Sequence, residues 1–227
     1  MKQNASITFV ILITEMKMDI INRLQWRYAT KLFDSSKAIP AEKLEILLQA
    51  FNLTATSYGL QPIKLVVLKD KELQEKLVEH SMNQIQIAQA SYVLIFCIQT
   101  AIDEEFILEY FNRVHSIRNT SKSILKPFQD FLIADFEGKP QGDIENWATK
   151  QAYLAMGNML AVCALEGIDS CPMEGFNPEK YDEILNLKEQ GLKSVLLLPV
   201  GYRAKDDMFA DFKKVRKELP NSVIHHN

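Results

Sequence analysis

Three clusters in this chain carry residue types suited to holding an anionic or planar ligand. The first is Arg27-Tyr-Ala-Thr-Lys31-Leu-Phe-Asp34, at the end of a predicted amphipathic helix. Arg27 and Lys31 are four apart, so on a helical turn they share a side. Two cations there could clamp a phosphate and a second anionic group; the commoner role of such residues is to complement the carboxyl end of a helix dipole. The second cluster is Cys171-Pro-Met-Glu174-Gly175-Phe176. A Pro-x-x-Gly turn lets backbone N–H groups approach a planar ligand, because glycine removes the side-chain obstruction. An ordinary helix-to-strand connection uses the same residues. The third is Phe212-Lys-Lys-Val-Arg216-Lys217. Lys214 and Arg216 are two apart and face the same way in extended chain. That suits phosphate capture, each sheltered charged hydrogen bond contributing about 1.5 to 3 kcal/mol; a lone basic run is more often a solvated tail.

Other chemistry finds less support. There are eight glycines, none separated from the next by a single residue, so both the G-x-G-x-x-G dinucleotide loop and the G-x-x-x-x-G-K-[ST] P-loop are absent. A nucleotide-cofactor enzyme built on this chain must hold its phosphate another way. His80 and His115 lack neighbours at zinc-ligand spacing, and His225 and His226 sit in the last three residues, so no metal site is expected. No G-x-S-x-G elbow occurs, and no cysteine lies near a histidine. Cys97, Cys163 and Cys171 stand in apolar stretches and read as buried free thiols of a reducing compartment.

The elements that must position these clusters follow from hydrophobic period. Residues 19–27 suit an amphipathic helix with Asp19 as cap, and residues 41–52 form a second, with Leu44, Leu47, Leu48 and Phe51 as its stripe. A loop over 54–62 precedes a strand at 63–68; Asp70 then starts a short helix. The run at 92–98 (YVLIFCI) reads as a strand buried on both faces. Residues 103–118 are helical, and 119–143 a polar, less regular helical excursion. The longest helix spans 144–166 and Gly167 closes it; from Ala152 onward it is apolar nearly all round and needs cover on every side, from its own domain or from a second chain. A buried strand covers 194–200, with Pro199 marking the end of its ladder. Strands unevenly flanked by helices, without repeats or linkers, give one α+β domain.

With 227 residues, 47% hydrophobic and 24% charged, the chain is neither disordered nor collagen-like. Its net charge of −3 argues against a protein built to grip nucleic acid. The apolar run at 7–13 is far below the roughly 18 to 20 residues needed to span a bilayer, and no small-residue cleavage site follows it. Residues 1–17 read as an N-terminal extension, Met16 and Met18 offering later starts, on a cytoplasmic protein whose domain occupies 18–227.

In order, these pieces resemble the FMN-dependent nitroreductase family, near its oxygen-insensitive nitroreductase and dihydropteridine reductase branch. The similarity begins at Met18-Asp-Ile-Ile and passes through Arg27-Tyr-Ala-Thr-Lys31-Leu-Phe-Asp, Ser57-Tyr-Gly-Leu-Gln-Pro62, Ala90-Ser-Tyr-Val-Leu-Ile-Phe-Cys97, Lys150-Gln-Ala-Tyr-Leu-Ala-Met-Gly-Asn158 and Pro172-Met-Glu-Gly-Phe176. It ends with Leu198-Pro-Val-Gly201 and Lys214-Val-Arg216. The resemblance implies a central mixed sheet flanked by helices and an intertwined homodimer with FMN sites at the interface. It places Arg27, Lys214 and Arg216 at the FMN phosphate, Tyr28 and Ala29 beside the cofactor, and Lys31 near the ribityl chain and the N1/O2 edge. Asn83 falls at the pyrimidine edge, and Pro172, Met173, Glu174 and Gly175 along the ring, with the Glu174 N–H near N5. Thr56 and Ser57 reach FMN from the other subunit.

The activity implied is ping-pong transfer of hydride from NAD(P)H through flavin N5 to small acceptors: nitroaromatics, quinones or pterins. The flavin carries the chemistry, so no catalytic side chain is assigned. Alternatives are a specialised relative (a reductive dehalogenase or flavin-dependent dehydrogenase) and a non-catalytic flavin-binding dimer. Ala29 stands where relatives often have Ser, and Tyr58-Gly59 replaces a Thr-Asn pair. Gln86 occupies a position that is Lys in the best-known branch, which leaves the choice between NADH and NADPH open.

Overall fold

The computed structural model describes residues 20–226. The apolar run at 7–13, the start at Met18 and the Asp19 cap lie outside the described residues. Strands covered on both faces carry long apolar runs, here at 92–98 and 195–200. Two of that kind, β2 (Tyr92–Gln99) and β4 (Leu192–Gly201), form the centre of a four-stranded sheet in the order β1-β2-β4-β3. Its edges are β1 (Ile63–Leu68) and the two-residue β3 (Asp169–Ser170). All three pairings are antiparallel, with Val66 opposite Ile95, Leu94 opposite Leu198 and Ser170 opposite Val200. The four strands thus form an antiparallel sheet where a mixed one was expected; the isolated parallel bridge from Ala29 to Ser170 adds no strand.

Alternation along β2 and β4 sends side chains to opposite layers. Leu94, Phe96, Ile98, Leu196, Leu198 and Val200 pack against α2 (Ala41–Asn52) and α7 (Gln141–Leu165). Val93, Ile95, Cys97 and Leu197 pack on the other side with Leu77 of α3 (Lys71–Leu77), Ile87 of α4 (Gln86–Gln89) and Tyr181 of α8 (Pro178–Ile184). A third cluster forms where α5 (Glu104–Arg118) and α6 (Lys122–Glu137) meet the start of α7, around Ile107, Phe111, Leu132, Phe136 and Ile144. The remaining helix, α1, covers 20–26. All three cysteines are free and buried.

Two further expectations are corrected. Residues 122–137 are not an irregular excursion but a 16-residue helix that keeps its course through Pro127. Burial of Leu132 and Phe136 in the third cluster outweighs the one ladder bond that proline removes. Nor does Pro199 end its strand, which runs on to Gly201. The Pro199 carbonyl accepts from Cys171 N at 3.0 Å, so its missing donor also points to the short β3 side. The bonds to β2 lose nothing there.

The longest helix begins at Gln141, three residues earlier than its apolar pattern, behind Pro140. Ala148, Ala152 and Ala155 are fully buried and let its backbone approach the sheet closely. Gly167 ends it at φ +65°, with Ile168 N reaching back to the Cys163 carbonyl at 2.8 Å. A Cβ at Gly167 meets nothing within 4 Å, so Gly167→Ala incurs only the left-handed backbone penalty. The expected loss is about 1 to 2 kcal/mol, read as a lower urea midpoint at unchanged slope.

Candidate functional site

The helix α1 stops at residue 26, just before the first cation. Beyond it the chain is extended rather than helical, correcting the four-residue helical spacing: Ala29 bridges Ser170, and Thr30 N donates to the Ser170 carbonyl at 3.2 Å. Extended chain puts residues i, i+2 and i+4 on one side. Arg27, Ala29 and Lys31 accordingly line one cavity of about 320 Å³, with Tyr28 beside them, while Thr30 is fully buried. The facing wall is Phe209, Phe212, Lys213, Lys214 and Arg216. Lys214 Nζ donates to the Arg27 carbonyl and joins the walls.

Among the described residues, five cations and no carboxylate line this cavity. Burial holds the Arg27 guanidinium below its ordinary pKa, and Arg216 adds repulsion. Burial likewise lowers Lys214, helped by Arg27, Arg216 and Arg203. An anion in the cavity would relieve each of these penalties, a phosphate best of all because it accepts several charged hydrogen bonds at once.

Behind the cavity Arg203 fixes the frame. Its Nε donates to Asp169 Oδ1 at 2.7 Å and its backbone N to Asp169 Oδ2 at 2.8 Å. Its guanidinium lies 4.3 Å from the Trp26 ring centroid and 4.5 Å from that of Tyr28, clamped between the two rings. The Tyr28 hydroxyl donates to Asp207 at 2.8 Å. Burial and that bond raise its pKa, so it stays a donor.

A second cluster continues from Ser170. Met173 and Leu197 exchange backbone bonds of 2.9 and 3.0 Å, which extends the sheet edge into the Pro172–Gly175 turn. Gly175 sits tight: a Cβ there would come 2.9 Å from Met82 Sδ, and its carbonyl accepts from Gln84 Nε2 at 3.1 Å. Asn177 N donates to the His80 carbonyl at 2.8 Å. These contacts bring the turn against the loop holding Asn83, where Met82 and Asn83 both take positive φ. The Glu174 carboxylate accepts from Tyr153 of α7 at 2.7 Å. Cation cavity, Ala29 to Lys31, Cys171 to Gly175 and the loop holding Asn83 thus follow one another along the β3 edge of the sheet. Among the described residues no group of three His, Cys, Asp or Glu is placed to hold a metal ion.

The sequence model of the nitroreductase family matches residues 24–202. The chain belongs to the nitroreductase family. An oxygen-insensitive NAD(P)H nitroreductase of Enterobacter cloacae is 30% identical over 215 residues, which cover 91% of this chain and 98% of that protein. Its Salmonella typhimurium counterpart is 29% identical over 214 residues, covering 91% and 99%. Among solved structures, a nitroreductase-like protein of Streptococcus mutans superposes with TM-score 0.80 at 22% identity, over 93% of this chain and all of that one. A protein of Exiguobacterium sibiricum crystallised in complex with FMN gives TM-score 0.77 at 17% identity, over 92% and 96%.

Of the family-like positions, Arg27, Tyr28, Ala29, Lys31, Lys214 and Arg216 meet in the cavity, and Asn83 stands with Pro172, Met173, Glu174 and Gly175 in the second cluster. Thr56 and Ser57 do not line the cavity; Ser57 N donates to Gln151 of α7 at 2.8 Å, and Thr56 Oγ1 accepts from Gln61 N at 3.0 Å. Reading the sequence missed Arg203, Asp169 and Asp207, whose roles depend on partners far away in the chain, and Phe209 as a wall. The nitroreductase match ends before the second wall begins. Asp169→Ala strands the sandwiched Arg203 cation, with an expected loss of about 3 to 5 kcal/mol in urea denaturation; a loss below about 1 kcal/mol would show the clamp works without it.

Proposed function

We propose that this nitroreductase-family chain is an FMN-dependent NAD(P)H oxidoreductase that reduces small acceptors such as nitroaromatics, quinones or pterins. The observation carrying this reading is the cavity lined, among the described residues, by five cations and no carboxylate. It answers a requirement already present in the sequence: a phosphate must be held without a glycine-rich loop. The donor set fits FMN, whose phosphate is a dianion and whose ring system is flat and polar at one edge.

Arg27, Lys214 and Arg216 neutralise and bond the phosphate, and Tyr28, Ala29 and Lys31 run along the sugar chain. Lys31 carries positive charge toward the N1/O2 edge, and Asn83 bonds the pyrimidine edge. Pro172, Met173, Glu174 and Gly175 lie along the ring, where a side chain at Gly175 would displace Met82. Thr56 and Ser57 serve the partner subunit's cofactor. Bound FMN supplies two-electron transfer between NAD(P)H and the acceptor. The chain's own part is to orient the ring, keep it from bulk water and place fixed charge at its edge.

The working unit in this reading is a homodimer. Tyr153 and Leu154 of α7, Ile20, Ile21 and Leu24 of α1, and Phe212, Val215, Leu219 and Ile224 of the carboxyl segment are all exposed apolar residues. A second copy would cover them. The place is the cytoplasm, where NAD(P)H is present and thiols stay reduced.

Purified protein should be yellow, run as a dimer, and oxidise NADH or NADPH with nitrofurazone or menadione as acceptor. A colourless protein that takes up no FMN would overturn the reading. Arg216→Ala should weaken FMN binding on the order of 10- to 100-fold, the equivalent of one charged hydrogen bond, with the apoprotein's melting temperature kept. Flavin fluorescence titration measures the first and calorimetry the second.

A further inference from the structure

Asp207 does not line the cation cavity, yet three of its four hydrogen-bond partners do. Its Oδ2 accepts from the Tyr28 hydroxyl at 2.8 Å, from Lys31 N at 2.9 Å and from Leu32 N at 3.1 Å. Its Oδ1 accepts from Phe209 N at 3.1 Å. Tyr28, Lys31 and Phe209 are cavity walls. The carboxylate is buried, at 5% exposure. Burial alone would raise its pKa; the bonds from Tyr28, Lys31, Phe209 and Leu32 hold it below the ordinary aspartate range instead. The segments it joins are already paired, with Asp34 N on the Tyr202 carbonyl at 2.8 Å and Ala204 N on the Leu32 carbonyl at 2.9 Å. Those bonds would align the two segments without Asp207. They would not turn Tyr28 and Phe209 toward a common cavity.

We infer that Asp207 is the positioning residue of the phosphate pocket: it locks the Tyr28–Leu32 segment to the Phe209 end of the carboxyl segment, so that Arg27 and Lys31 on one side converge with Lys214 and Arg216 on the other. The inference rests on the FMN reading above and adds to it a residue that touches no ligand atom. Three donors converge on one oxygen, two of them backbone N–H groups of consecutive residues, an arrangement that only an anionic acceptor satisfies well. An amide in its place must either turn its NH₂ toward those donors or lose the bond from Phe209. Either choice loosens the walls relative to each other, and a pocket that works by convergence loses strength with sub-ångström drift.

The test compares two ligands that differ only in the phosphate, FMN and riboflavin, titrated into the full-length apoprotein. In the native protein FMN should bind the tighter. Asp207→Asn should weaken FMN at least 10-fold and riboflavin by a clearly smaller factor, so that the preference falls. Asp207→Glu, which keeps the charge but displaces the carboxylate from its donors, should likewise weaken FMN more than riboflavin, and it decides the matter if Asp207→Asn does not fold. Equal weakening of both ligands marks a general structural role and overturns the inference, as does an unchanged FMN preference. Equal binding of FMN and riboflavin by the native protein would instead sink the phosphate reading itself, and the inference with it.

Discussion

Gathering like charges around a small space is unfavourable, and the most informative part of this molecule is where the fold does so anyway. Burial strips Arg27 and Lys214 of water, and Arg216 repels both, so each is held below its ordinary pKa. The nearby negative charges are not spread among them. Asp169 is committed to Arg203, and Asp207 to a set of neutral donors. Two carboxylates that stand close to the cavity are thus tied up behind its walls and leave its cations unpaired by them. A structure optimised only for stability would interleave the charges; this one separates them.

The sheet makes that separation affordable. Its central strands bury both faces, and the cation walls are appended where β4 leaves the sheet at Gly201 and where the extended chain after α1 passes Ser170. Gly201 allows the crossing: a Cβ there would stand 2.9 Å from the Phe33 ring. Strain from clustered cations is thus placed on loops held to a rigid edge, away from the layers that supply most of the buried apolar area.

How far the sequence disclosed this depends on the range of the interaction concerned. The buried strands, the long helix and its glycine stop were legible because period and capping are local signals. So were the cations, which stand out by type. Their geometry was not. Arg27 and Lys31 share a side because the chain is extended, not because it is helical, and the bridge to Ser170 that makes it so spans most of the chain. The helix at Lys122–Glu137 was obscured by its polar surface and Pro127, since only its contact with α5 and the start of α7 shows which side is buried. Asp207 and Arg203 gave no local sign at all: an aspartate in Lys-Asp-Asp and an arginine in Tyr-Arg-Ala look like ordinary surface residues until Tyr28 and Trp26 are brought to them.

The long helix connects this end of the molecule to its assembly. Against the sheet it places alanines, and on the opposite side it shows Tyr153 and Leu154. Tyr153 is also the donor that holds the Glu174 carboxylate, so the turn assigned to the flavin ring is tethered to an exposed apolar face. In the dimer proposed above, covering that face would restrict Tyr153, and through it the turn. Loss of the partner would free both together. Cofactor binding and subunit association would then be linked through one hydrogen bond on α7, a physical reason for a flavin site to sit at an interface: a second chain would both complete the apolar cover and steady the turn against which the ring would lie.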